Sequence, residues 1–567
     1  HFKDNYLTYE GCSTDYLGFD NGERALPKRA AISNIPTPLS GASSEEVNNF
    51  VGSFNSTLAA ERKMSLMDFS VGVSLGDQFD LKKEDAPQDE VKQLGYIFSL
   101  TYKVNYKYYA DVEYSDWQRA ADSSEYELIS ANRQTGELGS QNVLIGALGG
   151  LALKTKYSKY RLTVMHLQNA ESKAGKFTID NNGSAVGQSG YLAYSDNLSF
   201  NERGLTNFLL NGNHVLKESG WEVEWGVAPT LSNSSDPDIR KTAFTITATD
   251  TSFSAGAGGN PSRIWRDLQE INLPARLDFT KKYQFLEREA KLKFGASYIY
   301  KQRHYEILFF DMQFWGQQSW EGPDASVVLD EENIYPNNPN GIYYQSGNGN
   351  PNPNKYSSTV HNSGLYISNS FDLFENFKTI LGVRAEYFVQ YHTGRDQKYA
   401  SGDTIAGNSL NNETVLNSLD FFPEANLIYT FYEKFNLRGS YSMSIARPSF
   451  KELSFAQILD PITNRIFNGS LFEYSDWDGN LVETRIHNAD LRWEMFMERG
   501  QIISLSGFYK FFNNPIELVR IPEQQTSTEY QPRNVGDGYL FGVEFELRKN
   551  LDFISEKLED LNVSCNF

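Results

Sequence analysis

The sequence predicts an all-β protein, built as one large antiparallel transmembrane β-barrel. Three observations predict this fold class. Apolar and polar residues alternate with a period of two, most alternating segments run for about 9–14 residues, and the connections between them are alternately short and long. No apolar run reaches the roughly 18 residues that a membrane-spanning helix needs, so the predicted spans are strands.

Segment 379–391 illustrates the alternation: Val383 and Tyr387 fall on one face of the strand, whereas Arg384 and Glu386 fall on the other. In hydrocarbon every backbone N–H and C=O needs a partner, so only helices and closed sheets can span it. An Arg or Lys that faces lipid near the bilayer centre costs roughly 2–4 kcal/mol, so the charged face must line the lumen. The charged residues predicted to face the lumen are Arg384, Glu386, Arg438, Asp490, Arg492, Glu494, Glu544, Glu546 and Arg548.

Strand length separates a membrane barrel from a soluble antiparallel sheet, which alternates in the same way when one face is wet. Soluble strands average about 5–6 residues, whereas a tilted strand that crosses a bilayer needs about 9–11. We count about 18–20 alternating segments, and residues 561–567 resemble a further strand that is cut short. A complete barrel of about 22 strands is therefore expected, which is the size class with a plugged lumen.

The connections suggest which rim of the barrel faces which side of the membrane. Outer-membrane barrels have short periplasmic turns and long extracellular loops. The predicted short turns are at 156–160, 375–378, 432–435 and 497–501, and the predicted long loops are at 118–141, 169–189, 313–361, 392–417, 447–485 and 521–537. The two sets alternate along the chain, as a barrel of hairpins requires.

The composition excludes several classes of protein. The chain of 567 residues has 52 Lys and Arg against 72 Asp and Glu, and its net charge of −20 argues against a nucleic-acid-binding surface. Only Cys12 and Cys565 are present, so no disulfide framework or Cys-based metal site is expected. The 33 Tyr and 38 Phe suit surfaces that are half apolar and half wet, such as a membrane interface.

No signature of an enzyme or of a cofactor stands out. The histidines are scattered, without the spacing of a zinc site, and no G-x-S-x-G motif selects a nucleophilic serine. We therefore expect neither catalysis nor a cofactor. The oxygen-rich segments 232–238 and 460–464 could bind Ca²⁺ in the extracellular loops, although Asn, Asp, Gly and Pro also form ordinary turns.

Aromatic residues in the long loops are the candidate ligand-binding groups. Aromatic faces stack on sugars and planar chelates, and small-ligand sites are mostly apolar with a few polar groups. The candidates are Trp315, Trp320, Tyr335, Tyr343, Tyr344 and Trp477. The alternative interpretation is that these residues pack the loops against each other or belong to an aromatic girdle at the outer interface.

Four stretches resemble the TonB-dependent outer-membrane receptors, in the form common in Bacteroidetes-type bacteria. They are 2–27, 421–454 with its Ala-Arg-Pro motif at the rim, 486–517, and 534–551. The resemblance covers the whole chain and is most specific after residue 420. It implies that 1–60 joins a plug domain to the barrel and includes the first strand region, and that 61–567 forms the barrel. It also implies that the plug and the last strands are not part of this chain.

The resemblance further implies a location and a function. The chain would lie in the bacterial outer membrane, among its lipid and lipopolysaccharide, and would import a scarce or large nutrient: an iron chelate, a cobalamin-like molecule, a glycan or a peptide. The implied partners are the plug domain, the TonB–ExbB–ExbD machinery driven by the inner-membrane proton-motive force, and a surface lipoprotein. Two alternatives stay open, an open diffusion porin and a structural or interaction component of an outer-membrane complex.

Overall fold

The computed structural model describes residues 5–28, 35–81, 92–119, 122, 124–182, 190–253, 261–316, 319–432, 434–460, 462–463, 465–474, 476–521 and 528–567. Strands dominate these residues, and the helices among them are short. Within these ranges no helix has both the length and the apolar character needed to cross a membrane.

The strands are numbered β1 to β26 in chain order. They are β1 Tyr6–Thr8, β2 Glu61–Lys63, β3 Phe69–Leu81, β4 Lys92–Arg119, β5 Leu128–Lys154, β6 Ser158–Asn181, β7 Tyr191–Leu216, β8 Trp221–Val227, β9 Thr230–Lys241, β10 Phe244–Ile246, β11 Thr251–Phe253, β12 Ser262–Phe285, β13 Arg288–Phe314, β14 Ile342–Ser346, β15 Lys355–Phe374, β16 Phe377–Arg395, β17 Ser409–Phe431, β18 Phe435–Ala446, β19 Gln457–Asp460, β20 Arg465–Asn468, β21 Thr484–Phe496, β22 Ile502–Asn513, β23 Ile516–Ile521, β24 Thr528–Asn534, β25 Asp537–Asn550 and β26 Asn562–Asn566. The α-helices are α1 Ser44–Val51 and α2 Gln397–Ala400, and the 3₁₀ turns are Asp15–Leu17, Ala325–Val327, Glu331–Asn333, Glu498–Gly500 and Glu556–Leu558.

Twenty of the 26 described strands form one sheet, in which long strands pair antiparallel with the next long strand along the chain, and β1 and β2 form a separate pair. The ladders run from β3 through β7, across β8 and β9 to β12 and β13, and on through β15, β16, β17, β18, β21, β22 and β25 to β26. Because strands that follow each other need only a hairpin to pair, antiparallel neighbours are the simplest arrangement for this chain. The predicted fold class is confirmed.

Many of the strands are much longer than a bilayer crossing requires. β4 has 28 residues and β13 has 27, against the 9–14 that alternation predicts. The predicted loops 118–141 and 169–189 are therefore largely strand. Alternation misses these extensions because the outer face need not be apolar once the wall rises above the membrane. The four predicted short turns are confirmed, since each links two long strands directly.

The outward-pointing side chains of the sheet form an apolar belt. Val383 of β16 is 42% exposed, and it lies in register between Ile367 of β15 and Pro423 of β17. Exposed neighbours on the same face of adjoining strands are Tyr387, Leu419, Phe421, Leu491, Leu505, Tyr509, Phe541 and Val543. A continuous exposed apolar surface of this kind is costly in water and suited to acyl chains.

Residues 5–28 and 35–65, which we call the outer wrap, pack on the outside of the extracellular wall. Leu7 is buried against Ala174 and Leu198, which lie on the outward face of β6 and β7. That outward face is the one that, lower on β7, carries the exposed Leu210 of the belt. The predicted junction segment thus covers the wall where the chain rises above the membrane. Within the wrap β1 pairs with β2, and the chain then enters the barrel sheet as β3.

Helix α1 anchors the middle of the outer wrap. A capping box between Ser43 and Glu46 begins the helix and satisfies its first backbone N–H groups. Its apolar side contributes Phe50, which packs with Phe54 and with outward residues of β12, β13 and β14 in one aromatic core. An edge-to-face contact joins the rings of Phe50 and Phe54, whose centroids are 5.2 Å apart. This core lies outside the barrel rather than in its lumen.

A buried ion cluster ties the outer wrap to the wall. Asp238 accepts hydrogen bonds from Arg240 at 2.9 Å and from Arg263 at 2.7 Å. The same guanidinium groups donate to the backbone carbonyls of Thr57 and Asn55, each at 2.7 Å. Burial alone would raise the pKa of Asp238, but the two guanidinium groups outweigh burial and hold its pKa below the usual range. The carboxylate is therefore charged and fully partnered.

A pair of substitutions on β16 tests which face meets lipid. We expect Val383→Arg to block assembly of the barrel, because a guanidinium near the bilayer centre costs roughly 2–4 kcal/mol. Glu386→Gln, three residues away on the other face, should leave assembly intact. Heat-modifiable migration on a gel reads out the folded barrel, and equal tolerance of both changes would reverse the assignment of the faces.

The outer wrap should also respond to pH through Asp196 on β7. The Asp196 carboxylate accepts a hydrogen bond from the Ala60 amide at 2.8 Å, and burial raises the pKa of Asp196 to about 6. An acid whose folded pKa is raised contributes most stability at low pH and loses it as pH rises through the folded value, here a loss of order 2–3 kcal/mol. Exchange of the Ala60 amide, corrected for its intrinsic rate, should therefore accelerate from about pH 4 to 6 and level off above the folded pKa.

In Asp196→Asn the side-chain oxygen still accepts the hydrogen bond, but nothing titrates, so the corrected exchange rate should stay flat over the same range. A flat profile in the unmodified chain would contradict the buried acid.

Candidate functional site

The lumen contains a second, smaller sheet at its extracellular mouth. The long connections β18–β21 and β22–β25 supply β19, β20, β23 and β24, which form a four-stranded sheet in the order β19-β20-β24-β23. β20 and β24 pair in parallel and the other two ladders are antiparallel. We call this unit the inner sheet. Its connections were predicted as loops, because strands this short carry too few residues to show a period.

Apolar contacts seat the inner sheet on one wall of the lumen. Phe450, Leu453 and Leu481 of the β18–β21 connection are buried against inward residues of β15 and β16, among them Val360 and Phe388. A second apolar cluster joins Ile458 and Leu459 of β19 to inward residues of β9, β12 and β13. The inner sheet is therefore packed into the barrel rather than raised above it.

Polar contacts reach the opposite wall. Asp116 of β4 is bonded to Arg465 at 2.6 Å and to the Thr528 hydroxyl at 3.2 Å. Arg520 of β23 donates to Gln118, which like Asp116 lies on β4, at 3.0 Å. The inner sheet is thus bonded to β4, while its connection from β18 packs on β15 and β16. The inner sheet thus bridges the opening.

An ion network supports the inner sheet from below. Arg447, the residue after β18, donates to Glu386 at 2.7 Å and to Asp420 at 3.1 Å. Arg384 completes one side of the network by donating to Glu386 at 2.7 Å, and Arg485 completes the other by donating to Asp420 at 3.0 Å. The Arg447 guanidinium also lies 4.6 Å from the centre of the Phe388 ring. One side chain at the rim therefore joins β16, β17 and the start of the inner sheet.

The charged residues that the alternation assigns to the lumen lie on one face of their strands. Arg492 donates to Glu494 at 3.0 Å and to Glu546 at 3.2 Å, and Arg438 pairs with Glu494. Arg548 lies 3.9 Å from Glu546. The remaining members of the set are Arg384 and Glu386 in the network above, Asp490 beside the Ser440 hydroxyl, and Glu544 in register with Ser506. Arg438, Arg492 and Arg548 thus pair with Glu494 and Glu546 along this wall, whereas Asp490 and Glu544 have serine neighbours.

Several cavities lie along the inner wall of the barrel, and two of them combine charged and aromatic linings. The larger, of about 570 Å³, is bordered by Arg276, Asp278, Lys293, Tyr366 and Arg384, together with small apolar residues. The second, of about 280 Å³, is bordered by Glu270, Lys301, Arg303, Phe388, Arg447 and Phe450. Both combine apolar area with charges of both signs, which suits a ligand that carries polar groups on an apolar frame.

The candidate ligand aromatics fall into three groups. Trp315, just after β13, contacts both Tyr335 of the β13–β14 connection and Tyr343 of β14, with ring centroids 6.3 Å and 6.4 Å apart. Trp320 and Tyr344 belong to the aromatic core under the outer wrap. Trp477 lies in the connection between β20 and β21, where its indole N–H donates to the Ser470 carbonyl at 2.9 Å and the Arg533 guanidinium lies 5.5 Å from the centre of its ring.

Tyr344 requires a correction, because its side chain is fully buried and cannot stack on a ligand. Its hydroxyl lies 3.3 Å from Arg263 in the ion cluster. Residues that the sequence did not single out, Asp116, Arg447 and Arg465, hold the mouth instead. Of these three, only Arg447 is marked in the sequence, by its place in the Ala-Arg-Pro motif. The other two could not be inferred, because the alternating pattern says nothing about which distant residue a side chain will meet.

The acidic residues of the segments considered for Ca²⁺ have other partners, and residues 461 and 464 lie outside the described residues. Asp236 pairs with Arg266 at 2.9 Å, and Asp238 belongs to the ion cluster. Asp460 accepts hydrogen bonds from the Ile462 amide and the Thr463 hydroxyl, which is ordinary turn chemistry. Among the residues that the structure describes, no group of three His, Cys, Asp or Glu side chains is arranged to hold a metal. We therefore propose no calcium site.

An apolar belt, a charged lumen and loops folded into the mouth define an outer-membrane β-barrel. The sequence profile described as "TonB dependent receptor-like, beta-barrel" matches residues 166–564. The chain belongs to the TonB-dependent receptor family and is a protein of the outer membrane. Among curated proteins, none matches this chain.

Solved structures of outer-membrane receptors are similar in fold at low identity. The ferric-catecholate import receptor Fiu of E. coli K12 is 11% identical with a TM-score of 0.41, and the matched region is 85% of this chain and 62% of that receptor. The ferripyoverdine receptor of Pseudomonas aeruginosa is 13% identical with a TM-score of 0.46, and the matched region is 86% of this chain and 55% of that receptor. The hemophore receptor HasR of Serratia marcescens is 10% identical with a TM-score of 0.41, at 85% and 61% coverage. This chain therefore spans about 55–62% of the length of these receptors.

Removal of Arg447 should loosen the inner sheet without unfolding the barrel. In Arg447→Ala the buried Asp420 and the half-buried Glu386 each lose a partner, which we expect to cost roughly 3 kcal/mol locally. Limited proteolysis should then cut the 447–483 connection faster, while heat-modifiable migration of the barrel is unchanged. Glu473→Gln, an exposed change in the same connection, is the control, and equal cleavage of the two variants would contradict the role of Arg447.

Proposed function

We propose that this protein is the barrel of a TonB-dependent receptor that imports a scarce or large nutrient through a gated lumen. The observation that carries the proposal is the inner sheet, which bridges the extracellular mouth through the Asp116–Arg465 and Asp116–Thr528 bonds. A mouth filled by packed strands does not let solutes pass freely. Entry of a ligand requires that the inner sheet move, and this is the behaviour of a receptor rather than of an open pore.

The two lumen cavities support a ligand that is both polar and bulky. Their walls offer Arg276, Lys293 and Arg303 as cations, Asp278 and Glu270 as anions, and aromatic area beside both. An iron chelate, a cobalamin-like molecule, a glycan or a peptide each has polar groups spread over a large frame, and each could use such a surface. Small inorganic ions would use little of it.

Uptake against a gradient needs energy that a barrel alone lacks. By analogy with the family, we propose that a plug domain preceding this barrel closes the lumen and that the TonB–ExbB–ExbD machinery moves the plug at the expense of the proton-motive force. A surface lipoprotein could assist capture. In this proposal 61–567 is the barrel, the chain acts as a transporter and not as an enzyme, and it binds no nucleic acid.

The open diffusion porin and the purely structural component are weaker proposals. A porin of this diameter would need an aqueous channel, but the inner sheet occupies the mouth. A structural component would have no use for ion pairs that connect the inner sheet to opposite walls. Deletion of the gene should therefore abolish growth on one limiting nutrient class, and deletion of TonB should have the same effect. Growth unaffected by either deletion would contradict the transport proposal.

A reversible cross-link tests gating without knowledge of the ligand. Cysteines in place of Asp116 and Thr528, bridged by a short reducible thiol cross-linker, should hold the inner sheet closed. The reporter is Arg276→Cys on the lumen wall, in a Cys565→Ser background, labelled from outside on whole cells by a maleimide dye. Labelling of the cysteine at position 276 should slow by roughly tenfold when the bridge forms, because the dye can reach the lumen only when the inner sheet opens. Reduction of the bridge should restore the original rate.

The matched control carries the Arg276→Cys reporter and the Cys565→Ser background with Asp116→Cys but with Thr528 intact, so that no bridge can form, and it receives the same reagent. If labelling were equally fast in the bridged and the reduced protein, the inner sheet would not gate the lumen and the proposal would fail.

A further inference from the structure

On its membrane side the outer wrap has a loop that exposes apolar side chains and buries a charged one. Tyr16, Leu17 and Phe19 are 57%, 40% and 44% exposed, whereas Arg24 beside them is 2% exposed. A loop that faces water usually exposes its charged residues and buries its apolar ones, and this loop does the opposite. An exposed apolar tip of this kind indicates contact with another apolar surface. We define the wedge loop as residues 15–20.

A buried arginine removes the charges of this loop from its surface. Arg24 donates to Asp15 at 2.7 and 2.8 Å and to Asp20 at 3.1 Å, and it stacks on the Phe200 ring at 4.3 Å. Both carboxylates are thereby turned toward the wall. What remains on the outside of the wedge loop is one phenol, one leucine and one phenylalanine. Because Arg24 binds both carboxylates, neither of them is presented to water at the tip of the loop. The exposed surface of the tip is therefore suited to an apolar or interfacial environment.

Hydrogen bonds fix the height of the wedge loop on the barrel. The Tyr102 hydroxyl of β4 donates to the Tyr16 carbonyl at 2.8 Å, and the Gln168 amide of β6 donates to the Gly18 carbonyl at 2.7 Å. Gly18, at φ 75°, lies so close to β5 and β6 that a side chain there would contact Val143 and Ala170. The loop is thus seated on the outward face of β4, β5 and β6 and is not free to swing away.

This height coincides with the upper edge of the apolar belt. On β4 the exposed outward residues Tyr96, Phe98 and Leu100 end just below Tyr102. From the start of β4 at Lys92 to Tyr102, a rise of about 3.3 Å per residue and a tilt near 40° give roughly 25 Å, which is the height of the lipid-facing band of such barrels. The wedge loop therefore lies where acyl chains meet headgroups.

We propose that the wedge loop inserts into the outer leaflet of the membrane and seats the outer wrap on it. The partner is a lipid surface, and the contact continues the apolar belt upward past the end of the lipid-facing strand segments. Tyr16 presents an apolar ring with a polar tip, as interfacial aromatics do, and Leu17 and Phe19 supply the apolar area that enters the acyl boundary. The contact would brace the extracellular wall against the membrane.

Fluorescence quenching tests the proposal on the full chain. Phe19→Cys and Leu17→Cys are made separately in a Cys565→Ser background, since Cys12 is buried, and labelled with bimane. The proteins are reconstituted into phosphatidylcholine vesicles that contain lipid spin-labelled near the headgroup. Ile405→Cys, in the exposed connection between β16 and β17, is the control. The Cys565→Ser parent measures background labelling, and heat-modifiable migration verifies that each variant is folded.

We expect quenching by the spin-labelled lipid at residue 19 to be at least roughly twofold stronger than at residue 405, and quenching by aqueous iodide to be correspondingly weaker. Two results would overturn the proposal. Iodide quenching equal to the control, with no lipid quenching, would show a loop in water. Protection from iodide without lipid quenching would show that another protein surface covers the loop. If a cysteine at 17 or 19 prevents folding, Tyr16→Cys replaces it in the same assay.

Discussion

The whole structure depends on the requirement that every backbone hydrogen bond in the membrane be made within the protein. Along the ladders from β3 to β26 the sheet meets this requirement by pairing long strands with their neighbours, and the parity of side chains follows from that pairing. Once Val383 points to lipid, Arg384 and Glu386 must point to the lumen, where they can find partners. The ion pairs among Arg384, Glu386 and Arg447 are therefore a consequence of the strand register, and they in turn support the inner sheet.

Above the membrane the same strands serve a different purpose. Freed from contact with lipid, the outward face of β12 and β13 carries Trp265 and Phe310, which join the aromatic core of the outer wrap. The inward face of the same strands carries residues such as Ile264 and Ile307, which pack against the inner sheet. One wall thus holds two layers, one outside and one within the mouth. This arrangement explains strands such as β4 that extend far past a bilayer crossing.

The sequence predicts the membrane part of the fold well and the extracellular part poorly. Segment 379–391 could be assigned to its two faces because lipid imposes a strict period on it. No such period exists for Asp116 and Arg465, whose contact joins residues 349 apart, nor for the wedge loop, whose seat depends on Gln168 of a distant strand. Tyr344 was misjudged for a related reason: a loop aromatic has the same local pattern whether it meets a ligand or a hydrophobic core. Tertiary packing decides between the two.

The central claim is that lipid and lumen alternate along each membrane-spanning strand, and a spin-label scan of residues 379–391 on β16 measures it directly. Labels at 381, 383, 385 and 387 should be accessible to oxygen, which concentrates in lipid. Labels at 382, 384 and 386 should be less accessible to oxygen and more accessible to a water-soluble nickel complex. A period of two in opposite phase for the two reagents is the predicted result. An inverted phase, or accessibility without a period of two, would contradict the account.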